Sequence, residues 1–276
     1  MRTYLLAEIN RKLSTVDRNL AQLMFISEQF LIDNRSRIDS EPDELTRNVH
    51  SSNPFRNEFN YRLQEIPGEV TNLRLFTYAS AFVLACSIYE IYLLDLLQLV
   101  QQICGSNRAR KDDESLIEYL FIVCLNTTIQ KHFAQEEIDT LDYIRVRRNV
   151  LVHAEGRLSP PLEKLRKRGA KLNSFWQYFG LREVDFTSRS VDRFSADETI
   201  DLVRLIRNLS SKIDNSVLES IGKQRLIDYA ISDFKSRFGD QIASQHRNKV
   251  EGRFLRDIRY RFDLQSVDVN LSTISF

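Results

Sequence analysis

The sequence predicts an all-α fold, and three observations lead to this prediction. Glycine and proline are scarce, with 8 and 5 residues in a chain of 276, whereas barrels and sandwiches need turn residues every few positions. Apolar residues recur at three- and four-residue steps along most of the chain, which is the spacing of one face of a helix. Hydrophobic residues make up 42% and charged residues 28% of the chain, a balance typical of folded, soluble domains.

The first hundred residues predict an N-terminal helical region, a connection and a central helix. Apolar positions at helical spacing over 3–33 predict one long or two short helices. Residues 34–67 are polar and contain three prolines, so they predict a long connection. Residues 69–104 are apolar on almost every side, which predicts a buried central helix. Gly105 provides its C-terminal stop.

The remaining chain predicts more helices, separated by a charged, a basic and an aromatic segment. Ser195 to Glu198 form a capping signature that opens one of these helices. Weak alternation around Val269 allows a short strand at 267–271. In chain order the predicted elements are a charged loop at 106–114, helices over 115–133 and 135–155, a basic segment at 157–173, a loop packed on the core at 174–194, and helices over 195–221, 223–238 and 240–262.

Charge balance excludes a globally basic nucleic-acid-binding protein. Lys and Arg total 39 against 38 Asp and Glu, so the net charge is +1. Arginine supplies 29 of the 39 basic residues, and its planar fork can hold a phosphate or carboxylate at two points. Any binding site for a polyanion must therefore be a local concentration of basic residues.

Cysteine usage and the lack of a long uncharged run predict a cytoplasmic protein. The three cysteines, Cys86, Cys104 and Cys124, form no C-x-x-C pair, so we expect reduced thiols and no zinc site. Charged residues appear too early in the first eight positions for a signal peptide. The longest uncharged run, 75–89, has 15 residues, which is shorter than a membrane-spanning helix requires. We therefore expect neither a membrane nor a metal partner.

One motif has the residue types that metal-free phosphodiester cleavage needs. The predicted helix over 135–155 ends in Arg148-Asn149-x3-His153. A histidine can move protons to and from ribose and phosphate oxygens, and an arginine can stabilise the charge that develops on the phosphoryl group. Arg148 and His153 are about 140° apart around a helix, so a single chain does not direct both at one point. Two copies related by a dimer axis could combine them. The alternative is a helix-terminal histidine that only caps a carbonyl.

The segment Arg148-Asn149-Val150-Leu151-Val152-His153-Ala154-Glu155-Gly156 resembles the signature of the HEPN superfamily. These proteins are small helical bundles in which an R-x4-6-H motif, often R-N-x3-H followed closely by glycine, ends one helix. The resemblance covers roughly residues 69–220. It divides the chain into an N-terminal helical extension with its connecting loop at 1–68, an HEPN-like helical bundle at 69–222 and a basic C-terminal helical extension at 223–276.

The resemblance implies a metal-independent endoribonuclease that acts as a homodimer without a cofactor, on RNA such as tRNA or mRNA. Such enzymes often serve as toxins paired with an antitoxin or as effectors of phage defence, so an antitoxin or defence protein is an implied partner. Arg148 and His153 would be catalytic, and Asn149 would orient them or touch RNA. Glu90, or Ser87 near it, would support the motif from the central helix. One family branch is silenced by nucleotidyl modification of a tyrosine two residues after the histidine; Glu155 stands there, so this control is expected to be absent.

Basic residues concentrate on and after the motif. Residues 143–173 contain nine basic and two acidic residues in a chain of net charge +1, which favours an RNA-backbone path over a solvated loop. The residues assigned to this path, besides the motif, are Arg145, Arg147, Arg157, Lys164, Arg166, Lys167 and Arg168.

The basic segment at 245–261 and the aromatic residues around Trp176 could each bind RNA or have an ordinary structural role. In 245–261, His246, Lys249, Arg253 and Arg256 would share one helix face, which could bind RNA or an acidic partner, or be an ordinary solvated surface. Trp176 lies among other aromatic residues that could stack on bases, although core packing is the favoured interpretation.

Two other functions remain open at the level of sequence. One is a non-catalytic module that binds RNA or a nucleotide. The other is an interaction subunit of a defence or toxin–antitoxin complex.

Overall fold

The computed structural model describes residues 1–105, 110, 115–153, 159–242, 245–265 and 269. Helix accounts for 77% of the chain, and the described residues contain no strand, only one isolated antiparallel bridge between Leu45 and Arg62. The all-α prediction is therefore confirmed. The predicted short strand at 267–271 falls almost entirely outside the described residues.

Ten α-helices are present in the described part of the chain. They are α1 (Tyr4–Ser40), α2 (Thr46–Val49), α3 (Ile66–Cys104), α4 (Leu116–Tyr119), α5 (Gln135–His153), α6 (Pro160–Arg166), α7 (Gly169–Tyr178), α8 (Ala196–Ile221), α9 (Lys223–Ile242) and α10 (Arg247–Phe262). Short 3₁₀ helices at Leu63–Glu65 and Ile129–Lys131 and a π-helical turn at Leu120–Cys124 complete the described elements.

Several helix ends follow the predicted local signals. The Ser195 hydroxyl accepts a hydrogen bond from the backbone N–H of Glu198 at 3.0 Å, which caps α8. Gly105 and Gly222 follow α3 and α8 with φ of 69° and 81°, a left-handed conformation that glycine adopts without steric cost. Pro160 opens α6, where the missing N–H has no helical partner in any case.

The structure corrects three parts of the element prediction. Residues 115–133 do not form one helix, because a π-helical turn and Asn126 with φ of 51° interrupt it. The predicted connection at 34–67 is shorter than expected, since α1 continues to Ser40 and α3 begins at Ile66. The predicted loop at 174–194 begins as helix, because α7 extends to Tyr178.

The chain divides into two compact units. Unit 1 contains 1–13, 86–144 and 204–276, and unit 2 contains 14–85 and 145–203. Unit 1 thus draws on all three segments predicted from the sequence, and unit 2 draws on the first two. The helices α1, α3, α5 and α8 contribute residues to both units.

Unit 1 buries apolar residues of the start of α1, the second half of α3, and α8, α9 and α10. The Phe234 ring of α9 lies against the Phe254 ring of α10, with 5.4 Å between their centroids. Both rings are fully buried, and burial of side chains of this size is the main favourable contribution to folding. This packing fixes α9 and α10 to each other through their apolar faces.

Unit 2 buries a cluster formed by Leu63, Ile66 and Val70, against which Phe30 and Leu31 pack. This contact explains why the chain enters α3 at a fixed place after the long connection. Further along the chain, Trp176, Phe186, Phe194 and Leu202 are also buried.

The helical stretch Leu63–Cys104 is long and apolar enough to cross a membrane by length and composition. Half of its most apolar window is buried within the protein. An apolar core helix of a soluble protein has the same two properties. The prediction of a buried helix over 69–104 is therefore confirmed only in part, because one side of α3 is exposed at Leu73, Phe76, Leu84, Ile91 and Leu94.

Candidate active site

Helix α5 holds the candidate motif at its C-terminal end. Glu136 and Glu137 lie in the first turn of this helix, where their negative charges interact favourably with the positive end of the helix dipole. The Glu137 carboxylate accepts a hydrogen bond from the backbone N–H of Ala134 at 2.8 Å and pairs with the Lys212 ammonium of α8 at 2.5–2.7 Å. The start of α5 is therefore held firmly within unit 1. Its last residue is His153.

The side chains of Arg148 and Asn149 are hydrogen-bonded to each other, and the side chain of His153 is exposed to solvent. The Arg148 guanidinium Nη1 donates a hydrogen bond to Asn149 Oδ1 at 3.0 Å. Both residues are partly buried, whereas His153 is exposed. The amide of Asn149 therefore restricts the orientation of the guanidinium next to it, while the imidazole remains accessible to a large substrate.

The motif does not converge on one point within a single chain. Because α5 is helical through both residues, Arg148 and His153 project about 140° apart. Asn149 and His153 are four residues apart and lie on the same face. An arrangement in which an arginine and a histidine act on one phosphate therefore needs a second copy of this helix or a change in the helix end.

Glu90 and Ser87 lie on α3 in unit 1, whereas the motif lies in unit 2. Both residues are partly buried.

Arg147 is removed from the predicted RNA-binding path, because its side chain is only 1% exposed. Its Nη1 forms an ion pair with Glu198 Oε1 at 2.7 Å, and its Nε donates to the Val191 carbonyl at 3.1 Å. The guanidinium carbon lies 4.1 Å from the centre of the Phe194 ring. A guanidinium in these contacts ties α5 to the start of α8 within unit 2 and cannot reach RNA.

The other basic residues of the predicted RNA-binding path differ in their exposure to solvent. Arg145, Lys164, Lys167 and Arg168 are exposed. Arg166 is mostly covered, pairs with Glu163 and donates through its Nε to the Thr187 carbonyl at 2.9 Å, so it stabilises this region of unit 2. Arg157, Glu155 and Gly156 lie outside the described residues.

Trp176 is a core residue, as the favoured interpretation predicted. It is 3% exposed and lies edge-on against Phe175, with 5.1 Å between the ring centroids. Tyr178 is the last residue of α7 and Phe179 follows it, and their side chains are 87% and 54% exposed. Trp176 therefore offers no face to a base, whereas its two neighbours do.

No group of three His, Cys, Asp or Glu side chains within the described ranges is arranged to hold a metal ion. One basic surface is larger than the sequence predicted. His246, Lys249, Arg253 and Arg256 were predicted to share one helix face; His246 caps the start of α10, and the bounds of the helix add Arg259 and Tyr260 to the face. Extending the same three- and four-residue steps by one turn would have found them.

Comparison of the chain with models of known protein families, with curated proteins and with solved structures found no match.

Proposed function

We propose that this chain is a metal-independent endoribonuclease of the HEPN type. The observation that carries the proposal is the R-N-x3-H sequence at the C-terminal end of α5 in an all-α protein, with an oriented arginine and an exposed histidine. The HEPN-like bundle is part of this proposal. A role as a toxin or a defence effector in the cytoplasm follows from the same resemblance.

In the proposed reaction, one His153 removes the proton from a ribose 2′-OH. The 2′ oxygen attacks the adjacent phosphorus, and the bond from phosphorus to the 5′ oxygen breaks. The His153 of a second copy donates a proton to that leaving oxygen. The Arg148 guanidinium, held by Asn149, stabilises the charge on the phosphoryl oxygens. The products are a 2′,3′-cyclic phosphate and a 5′-hydroxyl.

An exposed apolar stripe on α3 could form the interface of the proposed homodimer. Five apolar side chains on α3 are 51% to 72% exposed, namely Leu73, Phe76, Leu84, Ile91 and Leu94. At 100° per residue they fall, with Ser80 and Ser87, within a sector of about 80° along one continuous helix. No charged residue lies in this sector between the first and the last of them. A narrow apolar stripe of this kind favours helix–helix association.

The positions on the stripe are also self-complementary. In an antiparallel pair of α3 helices, Leu73 would face Leu94 of the other copy, Phe76 would face Ile91, and Ser80 would face Ser87. Each pair is centred on the same point of the helix, so one two-fold axis satisfies all of them. This register supports a second copy of the chain as the partner.

Cleavage of RNA in the presence of EDTA tests the proposal. Purified protein is incubated with total cellular RNA and with a tRNA pool, beside the Arg148→Ala and His153→Ala variants. We expect cleavage by the wild type and a loss of at least about a hundredfold in rate for His153→Ala, the usual effect of removing an acid–base group. New 5′-hydroxyl ends accept a labelled phosphate from polynucleotide kinase without prior phosphatase treatment.

Arg18→Ala is the matched control for Arg148→Ala, because it removes one exposed arginine from α1. Circular dichroism checks that the variants keep the helical content of the wild type. A His153→Ala protein that cleaves as fast as the wild type would contradict the proposal, as would cleavage that EDTA abolishes. RNA retained on a filter without cleavage would indicate the non-catalytic binding module instead.

A further inference from the structure

One face of α10 in unit 1 has four basic residues and no acidic residue. At 100° per residue, Lys249, Arg253, Arg256 and Arg259 fall within a sector of about 120°. Lys249, Arg256 and Arg259 are exposed, and Arg253 is partly buried. The only other residues in this sector are Gly252 and Tyr260, so the sector contains no carboxylate.

The acidic residues of α10 lie outside this sector and are already paired. Glu251 accepts from Arg247 of the same helix at 2.7 Å, and Asp257 accepts from Arg237 of α9 at 2.7 Å. Among the described residues, Lys249, Arg256 and Arg259 have no carboxylate partner. These three exposed cations together attract a polyanion, which can neutralise all of them at once.

The opposite face of α10 is buried and therefore cannot insert into a membrane. Its apolar residues Val250, Phe254, Ile258 and Phe262 are all buried, each at most 2% exposed. A basic amphipathic helix binds a lipid surface by inserting its apolar side chains. Those side chains are already used in the core of unit 1, so only the charged face is available.

Two features of this face suit RNA better than an acidic protein. Two of its three exposed cations, Arg256 and Arg259, are arginines, whose forks match the two oxygens of a phosphate. Tyr260 lies beside them at 73% exposure and stacks on Tyr4, with ring centroids 6.0 Å apart and planes inclined by 22°. The outer face of Tyr260 is therefore a fixed aromatic platform on which an unpaired base can stack.

We propose that the basic face of α10 is a binding surface for the backbone of single-stranded RNA. The three exposed cations Lys249, Arg256 and Arg259 contact phosphates over about 15 Å of helix, and Tyr260 stacks on a base. This surface goes beyond the proposed nuclease, since it depends on the charge and exposure of α10 and requires no cleavage.

Binding of a labelled 20-nucleotide RNA with 2′-O-methyl riboses tests the proposal, because it has no free 2′-OH and cannot be cleaved through one. Fluorescence anisotropy compares the full-length wild type with Lys249→Gln/Arg256→Gln/Arg259→Gln over a range of salt concentrations. We expect the triple variant to lose at least about tenfold in affinity at low salt. The slope of log Kd against log salt should fall by about 2, since each phosphate contact on a single strand contributes about 0.7.

Arg18→Gln/Arg35→Gln/Arg37→Gln is the matched control, because it removes three exposed arginines from α1 and changes the net charge equally. It should bind RNA as the wild type does. Tyr260→Leu should lose about tenfold in RNA affinity and leave the binding of polyglutamate unchanged.

Equal RNA affinity of the α10 triple variant and the wild type would overturn the proposal. So would a control variant that weakens as much, because binding would then reflect net charge alone. Tighter binding of polyglutamate than of RNA would assign the surface to an acidic protein. The 2′-O-methyl RNA has no free 2′-OH to be cleaved and the three substituted residues lie on α10, so failure of the nuclease proposal leaves this result unaffected.

Discussion

Asp214 is a buried carboxyl group that connects three elements of unit 1. Its Oδ2 accepts a hydrogen bond from the backbone N–H of Thr3 at 2.7 Å, and its Oδ1 accepts from the Thr3 hydroxyl at 2.5 Å and from the Tyr92 hydroxyl at 3.2 Å. Burial nevertheless raises the pKa of Asp214 above its ordinary value and outweighs these hydrogen bonds. The folded protein therefore binds the Asp214 proton more tightly than the unfolded chain does.

This shift predicts a stability that depends on pH in a definite direction. Because the folded pKa of Asp214 is raised, its contribution is complete below the unfolded pKa and is lost as pH rises through the folded pKa. Urea unfolding of the wild type and of Asp214→Asn, repeated from pH 4 to pH 7, measures this effect. The free energy of unfolding of the wild type minus that of the variant should decrease with rising pH. A constant or increasing difference would contradict the prediction.

Arg147 shows what could and what could not be predicted from the sequence at the scale of one residue. Arg147 lies four residues after the buried Tyr143 and three before the buried Val150, so helical spacing already places it on the inner face of α5. Net charge alone had assigned it to RNA. The identity of its partner, Glu198, could not be predicted, because the two residues are 51 positions apart and no local signal links them.

Helices with strong local signals were predicted well, and those that depend on irregular backbone were not. The Ser195 cap and Gly222 set the ends of α8 close to the predicted 195–221. By contrast, the π-helical turn at Leu120–Cys124 adds a residue to one turn, and Asn126 then takes a left-handed conformation. Apolar spacing continues through both features, so the sequence alone predicted an unbroken helix there.

Replacing glycine by alanine is expected to change the free energy of unfolding in opposite directions at two positions in different helices. A Cβ on Gly169 of α7 would lie 2.5 Å from the Phe186 carbonyl oxygen and 2.9 Å from Thr187 Cγ2, whereas a Cβ on Gly252 of α10 would meet nothing within 4 Å. Gly169→Ala should therefore lower the free energy of unfolding by about 1–3 kcal/mol through overpacking. Gly252→Ala should raise it by up to about 1 kcal/mol, because alanine favours a helix interior over glycine.

Chemical denaturation followed by circular dichroism measures both variants against the wild type under one set of conditions. Each variant serves as the control for the other, since the added methyl group is the same. A Gly169→Ala protein as stable as the wild type would show that the backbone at 186–187 can move away from α7 without cost.

At the scale of the whole molecule, the all-α class and the long helices followed from the sequence, whereas the short helices α2, α6 and α7 and the grouping into two units did not. Units 1 and 2 are discontinuous and share α1, α3, α5 and α8. Contacts between distant positions decide this grouping, and the periodicity of one helix contains no information about which other helix covers it. The α3 stripe was missed for the same reason, because an apolar helix predicts burial without showing which side remains exposed.

The α3 stripe leads to a prediction about the oligomeric state. We expect a dimer, twice the 32.4 kDa of the chain, by size-exclusion chromatography with light scattering. Leu84→Asp/Ile91→Asp should give a monomer with unchanged helical content, because these side chains are half exposed and their replacement places charge in the proposed interface. Ile26→Asp, at another exposed apolar position on α1, should remain dimeric. A monomeric wild type, or a dimer that survives both aspartates, would exclude this interface.

Mixing two inactive variants extends the same prediction to the proposed active site. If two copies combine their motifs, a dimer of one Arg148→Ala chain and one His153→Ala chain keeps one intact arginine and one intact histidine on different subunits. The proposed reaction uses the His153 of both copies, so this dimer has one of the two proton-transfer groups and water must replace the other. After exchange of subunits at low concentration, such a mixture should therefore recover only a small part of the cleavage that both separate proteins lack. The Leu84→Asp/Ile91→Asp change, introduced into both chains, should abolish this recovery. Complementation that survives it would place the shared site at a surface other than α3.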